Sequence, residues 1–104
     1  MQVNIQPNEQ ETIVQLIGQL NTIATTDHAE ELQQVLDIAD KALVIDCSEL
    51  EYISSAGLRF FIRLKHASSA KGGTVRIINV NQDVAEIFSL SGFQTIFEIS
   101  EAQP

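Results

Sequence analysis

Residues 42–58 of the chain read ALVIDCSELEYISSAGL, and this segment is the most informative about the fold. Its first four residues, 42–45, are apolar without interruption, which predicts a strand covered on both faces. Residues 46–51 are mostly polar and predict a loop at the end of that strand. Ser54 or Ser55 then predicts the start of a helix, because serine is a favoured N-cap. A buried strand that leads through a loop into a helix is typical of α/β domains.

Downstream of this stretch, the sequence predicts a long helix followed by a strand, a helix and a last strand. The long helix ends at Gly72-Gly73, because glycine readily adopts the left-handed conformation that follows a helix. A further helix is expected to begin at Asn81 as N-cap and to close at Ser91-Gly92. The apolar residues that define these elements are Gly57, Phe60, Phe61, Leu64 and Ala67 in the long helix, Val75, Ile77 and Ile78 in the strand, and Val84, Ile87 and Phe88 in the further helix. The last strand is expected over residues 95–99.

Upstream of the same stretch, the sequence predicts an antiparallel hairpin and a helix. Apolar and polar residues alternate from Val3, turn residues follow from Pro7, and residues 12–20 form a second β-rich run. The helix is expected to begin at Thr25 or Thr26 as N-cap. Its predicted buried residues repeat at helical spacing and are Ala29, Leu32, Leu36 and Ala39.

The predicted order of elements is strand, strand, helix, strand, helix, strand, helix, strand. This alternation predicts an α/β fold: a mixed sheet of about five strands, with the first hairpin antiparallel and the remainder mostly parallel, packed with three to four helices. The 104 residues suffice for one hydrophobic core, because a typical domain has roughly 100 to 150 residues. We therefore predict a single domain over residues 1–104, with a frayed tail over about residues 101–104.

Composition and charge restrict the classes of function. With 14 acidic and six basic side chains, the chain has a formal net charge of −8, which disfavours nucleic acid and anionic membranes as partners. The sequence shows no signal-peptide pattern and no apolar run near the roughly 18 residues of a membrane span. The single cysteine, Cys47, offers neither a disulfide nor a zinc cluster, and we expect it to be a small buried hydrophobe. We therefore expect a cytoplasmic protein, without direct membrane insertion, that binds a protein or a small ligand.

Ser54 and Ser55 are the strongest candidates for a functional site. Sites in α/β domains gather at the carboxyl ends of strands, and the start of a helix has free backbone N–H groups that stabilise an anion such as phosphate. A helix cap explains one serine, whereas two serines exceed what one cap needs. Capping and phosphorylation therefore both remain open on these residues alone.

The long helix also has a basic face. Arg59, Arg63 and His66 are spaced i, i+4 and i+7, and Lys65 and Lys71 lie on the same helix, which thus holds four of the six basic residues. A docking surface and an ordinary solvated helix face both agree with this pattern.

Catalysis finds little support in the sequence. Neither His28 nor His66 is placed to act as a base for Ser55, and no Gly-x-Ser-x-Gly motif surrounds the serines. Asp46 at the end of a strand has no acidic pair nearby that would hold the magnesium needed for phosphate acceptance. Glycine-rich nucleotide fingerprints are also missing. We expect no enzymatic activity, no metal and no cofactor.

Several segments resemble the STAS domains, the family of sulfate transporter and anti-sigma factor antagonist domains. Residues 46–58 are similar to the family signature D-(L/C/F)-S-x-(V/L)-x-(F/Y)-(I/M)-D-S-(S/A)-G-L. Residues 18–21, GQLN, resemble the GELD segment of free-standing anti-sigma factor antagonists. Residues 71–73 and 84–93 resemble the family's Gly-Gly turn and the end of its last helix. The resemblance spans about residues 3–98 and implies a STAS-like sheet and helix order.

The resemblance also implies a function and a set of partners. In this family, an antagonist binds an anti-sigma factor that is also a serine kinase, and thereby frees a sigma factor for transcription. Phosphorylation of one serine abolishes binding, and a PP2C-type phosphatase restores it. That serine corresponds to Ser55, with Ser54 as the second choice. The implied partner-binding residues are Asn21, Thr22, Ser54, Ser55, Ala56, Gly57, Leu58 and Arg59.

Two carboxylates of the family pattern are missing near the candidate phosphoacceptor. Ser54 stands where the signature has aspartate, and Asn21 stands where GELD has its last carboxylate. These changes favour an alternative function, a constitutive STAS scaffold in a signalling or envelope-associated transport complex without phospho-switching. A small-ligand or nucleotide sensor is a third hypothesis, which the absence of a phosphate-cradling loop disfavours. A monomer or weak dimer is expected in each case.

Overall fold

The computed structural model describes residues 1–102, which form one five-stranded sheet and four α-helices. The strands are β1 (Gln2–Pro7), β2 (Thr12–Leu20), β3 (Ala42–Ile53), β4 (Thr74–Val80) and β5 (Glu98–Glu101). The helices are α1 (Thr22–Asp27), α2 (Ala29–Asp37), α3 (Ser55–Lys71) and α4 (Gln82–Leu90), and a 3₁₀-helix spans Phe93–Thr95. The sheet order is β1-β2-β3-β4-β5, with β1 antiparallel to β2 and the other neighbours parallel. The predicted mixed α/β fold is confirmed.

The helices pack together over one face of the sheet. Right-handed crossovers between strands that follow one another in spatial order place every connecting helix on the same side. Helix α3 contacts both α1 and α2. On its other flank, the fully buried Phe61 ring lies 5.5 Å from Phe88 of α4 and 6.4 Å from Phe93 of the 3₁₀-helix, centroid to centroid. Helix α3 is therefore the central element of the helical layer.

The predicted loop over residues 46–51 is wrong, because strand β3 continues to Ile53. Cys47, Leu50 and Ile53 are all buried in this extension. Their spacing of three residues conceals the period of two that identifies a strand. Two register shifts in the β2–β3 ladder explain the spacing, since each irregularity changes which residues share a face.

The predicted N-cap at Thr25 or Thr26 is also wrong. Helix α1 has Asn21 as its N-cap, four residues before Thr25 and five before Thr26, and α2 follows after His28. The hydroxyls of Thr25 and Thr26 instead donate to the backbone carbonyl of Thr22, over 2.8 and 3.2 Å, inside α1. The segment therefore forms two short helices where the sequence predicted one.

The apolar stripes predicted for the helices are confirmed at most positions. Leu32, Leu36 and Ala39 are buried as predicted, whereas Ala29 is exposed because it begins α2. In α3 and α4, most of the predicted core residues are buried, namely Gly57, Phe60, Phe61, Leu64, Val84 and Phe88. The other two, Ala67 and Ile87, are half-buried against the core. Helix α3 ends at Gly72, whose φ of 77° is left-handed as predicted.

The last strand lies further along the chain than predicted. The expected strand over residues 95–99 overlaps the 3₁₀-helix, and β5 begins only at Glu98. Phe93 and Phe97 are both buried, with ring centroids 5.6 Å apart. The 3₁₀-helix between them turns the chain tightly enough to bury both rings on one side. The strand therefore begins three residues later than predicted.

The expected tail over residues 101–104 falls partly outside the described residues. Glu101 is the last residue of β5, and the backbone N–H of Ala102 donates to the carbonyl of Val80 over 2.9 Å. Residues 103–104 lie outside the described part of the chain.

Candidate functional site

The candidate site lies where β2 and β3 end and α3 begins. These strands run parallel, so their carboxyl ends meet at one edge of the sheet, where Leu20 pairs with Ile53. The backbone N–H of Ser54 donates to the carbonyl of Leu20 over 2.9 Å, which joins the two strand ends directly. Asn21, Ser54 and Ser55 consequently meet at this edge, as sites in parallel sheets do.

The two serines occupy different positions in the helix start. Ser54 has extended backbone angles, φ −95° and ψ 177°, and its hydroxyl accepts a hydrogen bond from the backbone N–H of Gly57 at 3.4 Å. Ser54 is thus the N-cap of α3. Ser55 is the first helical residue and is exposed, so its hydroxyl is accessible and is not needed for the cap.

Asn21 makes a second helix cap beside the first. Its side-chain Oδ1 accepts a hydrogen bond from the backbone N–H of Ala24 at 2.9 Å, which caps α1. Thr22, the first residue of α1, is exposed. Two helices therefore begin at this edge, each capped by an uncharged side chain.

Gly57 allows α3 to approach the sheet closely. A Cβ at this residue would lie 2.7 Å from the Leu20 carbonyl oxygen and 2.7 Å from Cγ1 of Ile53. Real Cβ atoms do not come this near to backbone oxygen, so a larger residue would push the helix away. Gly57 therefore sets the position of Ser55 relative to the end of β2.

A basic side chain follows Ser55 along the helix. Arg59 lies one helical turn after Ser55 and on the same face, because residues i and i+4 are neighbours on a helix. It is exposed and lines a cleft together with Thr25 and Ala56. The start of α3 thus has a cation close by.

Exposed apolar side chains flank the helix starts. Ile23 in α1 is 71 % exposed, and Tyr52 near the end of β3 is 47 % exposed. Ile23 lines a shallow cleft of about 400 Å³ together with Gln19, Asn21 and Glu51. Neither residue was among the predicted site residues. With Asn21 as the cap, α1 buries Ala24 and leaves the neighbouring Ile23 facing solvent.

Neighbouring reactive groups are occupied or buried. Burial, and then the charge of Asp46, raise the pKa of the Cys47 thiol from 9.0 to about 12, so the thiol is neutral at physiological pH. The carboxylate of Asp46 accepts hydrogen bonds from the backbone N–H of Ser48 and from the amide of Asn79. Within residues 1–102, no group of three metal-ligating side chains comes together, and no helix is long and apolar enough to cross a membrane.

A known domain family matches this chain over almost its whole length. The family model described as STAS domain matches residues 2–103. This chain belongs to the STAS domain family. The match covers almost the whole chain, including the strand ends and helix starts that form the candidate site.

Known relatives of this STAS domain include proteins described as anti-sigma factor antagonists. A Bordetella bronchiseptica protein described as a candidate antagonist, BtrV, is 30 % identical over 92 residues, which cover 85 % of this chain and 79 % of BtrV. The crystal structure of an anti-sigma factor antagonist from Mycobacterium paratuberculosis superimposes with a TM-score of 0.82 at 17 % identity and covers 95 % of this chain and 84 % of that one. The Bacillus cell fate determinant SpoIIAA, in its phosphorylated form, matches with a TM-score of 0.69 at 14 % identity, covering 94 % and 90 % of the two chains. These structural likenesses show a shared fold.

Two departures from the family pattern, at Asn21 and Ser54, fall on helix caps. Ser54 and Asn21 replace the two carboxylates expected from the family pattern, and each caps the helix that follows it. Serine, asparagine and aspartate are similarly good N-caps. The substitutions in this STAS domain therefore preserve the cap and remove the negative charge.

The residues predicted to bind a partner fall into two groups in the STAS domain. Asn21, Thr22, Ser54, Ser55, Ala56 and Arg59 are exposed or half-buried around the helix starts. Gly57 is buried, and Leu58 is half-buried against the core. The structure therefore assigns packing to Gly57 and leaves the first group accessible at one edge.

Proposed function

We propose that this STAS domain is an anti-sigma factor antagonist, which binds an anti-sigma factor with serine kinase activity and is switched by reversible phosphorylation of Ser55. The observation that supports this best is the position of Ser55, which is the first residue of α3 and is exposed. Its hydroxyl is not used for capping, because Ser54 is the N-cap. The description of BtrV as a candidate antagonist and the phosphorylated form of SpoIIAA agree with it. Because sigma factors act in transcription, we place this function in the cytoplasm.

The start of α3 suits a phosphate. Backbone N–H groups in the first turn and the positive end of the helix dipole stabilise an anion there. The adjacent caps, Asn21 and Ser54, are uncharged, and α3 contains no acidic residue that would repel the phosphate. Phosphorylation is therefore expected to leave the fold intact.

The same phosphate changes what the surface can bind. A phosphoserine adds about −1.5 to −2 charges at neutral pH. These charges would lie on a face that otherwise combines uncharged caps with the exposed apolar side chains Ile23 and Tyr52. A partner that covers this face would have to desolvate the phosphate, which strongly weakens binding. Removal of the phosphate by a PP2C-type phosphatase restores the original face.

A second candidate function is a constitutive STAS scaffold without a switch. The observation that favours it is the absence of charge at both helix starts, since Asn21 and Ser54 cap without a carboxylate. If the kinase recognises those carboxylates in other family members, this domain would bind its partner permanently. Phosphorylation of Ser55 in cells distinguishes the two functions.

The test combines phosphopeptide mapping with co-purification from the source cells. The peptide that spans Ser54 and Ser55 is quantified during growth and stress, with the modified residue assigned by fragmentation. Tagged wild-type protein, Ser55→Ala and Ser55→Asp are then used to capture partners. Ser69→Asp is the control, because Ser69 is exposed on α3 but lies far along the helix from Ser55.

We expect phosphate on Ser55 and capture of an anti-sigma factor by the wild-type protein and by Ser55→Ala. Ser55→Asp should lose this partner, whereas Ser69→Asp should keep it. An anti-sigma factor captured with a peptide that is never phosphorylated would support the antagonist without the switch. Capture of transport or envelope components without any anti-sigma factor would support the scaffold instead.

A further inference from the structure

Helix α3 is a basic element in an acidic chain. Its 17 residues include Arg59, Arg63, Lys65 and Lys71, four of the six basic residues of the protein. None of the 14 acidic residues lies in α3. A surface of this sign attracts acidic partners that the rest of the molecule repels.

Two of these cations line a cleft between α2 and α3. The cleft has a volume of about 350 Å³, with Arg59 and Arg63 on the α3 side and the apolar side chains of Leu36 and Phe60 at its base. A second depression of about 510 Å³ shares Arg63 and Leu36 with the first and continues along the helices to Lys71. Together they form one groove, called here the basic groove.

The arginines of the basic groove have no carboxylate partner among residues 1–102. The ion pairs of the described residues are His28–Glu31, Lys41–Asp40 and Arg76–Glu11. Asp37 lines the far end of the groove, where its carboxylate accepts a 2.9 Å hydrogen bond from Gln33. Lys71 donates to the backbone carbonyls of Leu36 and Asp37, both at 3.2 Å, and so holds the end of α2 against α3. Arg59 and Arg63 are exposed and are available to a carboxylate from outside.

We propose that the basic groove binds an acidic segment of the anti-sigma factor. This inference rests on the proposed function and extends its binding face along α3. Charge complementarity supports a segment rich in aspartate and glutamate, because carboxylates form charge-assisted hydrogen bonds with guanidinium groups. The apolar base and the exposed Ile62, 41 % accessible at the rim, favour apolar residues between the carboxylates. Helix α3 is roughly 25 Å long, so a segment of several helical turns fits beside it.

The basic groove is continuous with the proposed phosphorylation site. Ser55, Arg59 and Arg63 follow one another at intervals of four residues, which places them along one face of α3. A phosphate on Ser55 lies one turn from Arg59 and competes with the acidic segment for that guanidinium. The groove therefore connects phosphorylation at the helix start to binding along the helix.

The test compares charge reversal on the two flanks of α3. Titration calorimetry measures the affinity of the full chain for the anti-sigma factor that co-purifies with it, at low and at physiological salt. Arg63→Glu reverses a charge in the groove two turns away from Ser55. Lys65→Glu is the matched control, because it makes the same change of charge on the same helix but on the other flank, where the Lys65 ammonium lies 5.9 Å from the Phe97 ring. Thermal unfolding of both variants verifies that they fold.

We expect Arg63→Glu to weaken binding about tenfold or more and to reduce its salt dependence, because it removes a charge at the interface. Lys65→Glu should weaken binding by less than about threefold, the effect of net charge alone. Equal weakening by both variants, or no weakening by Arg63→Glu, would refute the proposal that the basic groove binds an acidic segment. The proposed function would remain intact. A wild-type chain that binds no anti-sigma factor would overturn both.

Discussion

At the scale of single residues, Ser54 and Ser55 have different tasks because the helix starts between them. Ser54 keeps an extended backbone and turns its hydroxyl to the N–H of Gly57, whereas Ser55 already has a place in the helix. The position that loses a carboxylate relative to the family pattern is therefore the cap and not the proposed phosphoacceptor. A cap is needed for stability and an exposed hydroxyl is available for modification.

Ser54→Ala should reduce the free energy of unfolding by about 1 kcal/mol, because it removes the N-cap of α3. Ser55→Ala should change it by less than about 0.5 kcal/mol, since an exposed residue without a structural contact contributes little. Urea unfolding of both variants measures the difference. An equal loss for the two variants would contradict the assignment of the cap to Ser54.

Cys47 makes stability depend on alkaline pH. Its thiol has a pKa of about 12 in the folded protein, against 9.0 for an ordinary thiol, chiefly because it is buried. Between these values the unfolded chain releases a proton that the folded chain retains, so the free energy of unfolding falls as pH rises. Cys47→Ala should show a shallower fall from pH 9 upward in parallel denaturation curves. If the free energy of unfolding fell equally with pH in both proteins, the raised pKa of the buried Cys47 thiol would be refuted.

At the scale of secondary-structure elements, the contact between α3 and the sheet positions the site. Strand β3 extends through the polar residues 46–51 and delivers Ile53 beside Leu20, and Ser54 then bonds to the Leu20 carbonyl. Gly57 packs against the same two residues one turn later. The site edge is consequently a closely packed junction of two strands and one helix.

Gly57→Ala should destabilise the protein by about 1–3 kcal/mol, the usual range for overpacking. At an exposed helix position, glycine to alanine would raise the free energy of unfolding by about 1 kcal/mol. A decrease at Gly57 would therefore indicate that α3 lies too close to the sheet for a Cβ atom. Ser69→Ala, at an exposed position of α3, is the control and should be neutral or slightly stabilising. Chemical denaturation measures both, and a more stable Gly57→Ala variant would refute the packing.

At the scale of the whole molecule, charge is unevenly distributed. The chain has a net charge of −8, yet α3 has four basic residues and no acidic ones. The acidic remainder repels itself, whereas α3 presents the opposite sign to a partner. Salt should therefore act in opposite directions on folding and on the proposed binding.

Raising sodium chloride from about 10 mM to about 300 mM should increase the free energy of unfolding at pH 7 by on the order of 1 kcal/mol, because ions screen the repulsion between carboxylates. The same change should weaken binding of the anti-sigma factor. Thermal unfolding measures the first effect and calorimetry the second. Near pH 4.4, the isoelectric point, the effect of salt on stability should largely disappear. A loss of stability with salt at pH 7 would contradict the dominance of repulsion.

Elements whose signals are local could be predicted from the amino-acid sequence. The cap at Asn81, the left-handed Gly72 and the buried stripe of α3 all follow from interactions within a few residues of the chain, and the structure confirms them. The alternation of strands and helices likewise predicted the mixed sheet and its single antiparallel hairpin. The STAS signature at residues 46–58 was recognisable for the same reason, since it is contiguous.

Features that depend on contacts between distant residues could be seen only in the folded chain. Strand β3 extends past residue 46 because β2 pairs with it across two register shifts, which no local period reveals. Ser54 is held at the sheet edge by the carbonyl of Leu20, more than thirty residues earlier. The basic groove exists because α2 packs beside α3 and leaves Arg59 and Arg63 between them. Local propensity predicts that elements form, but pairing and packing across the chain decide where they end and which side chains meet.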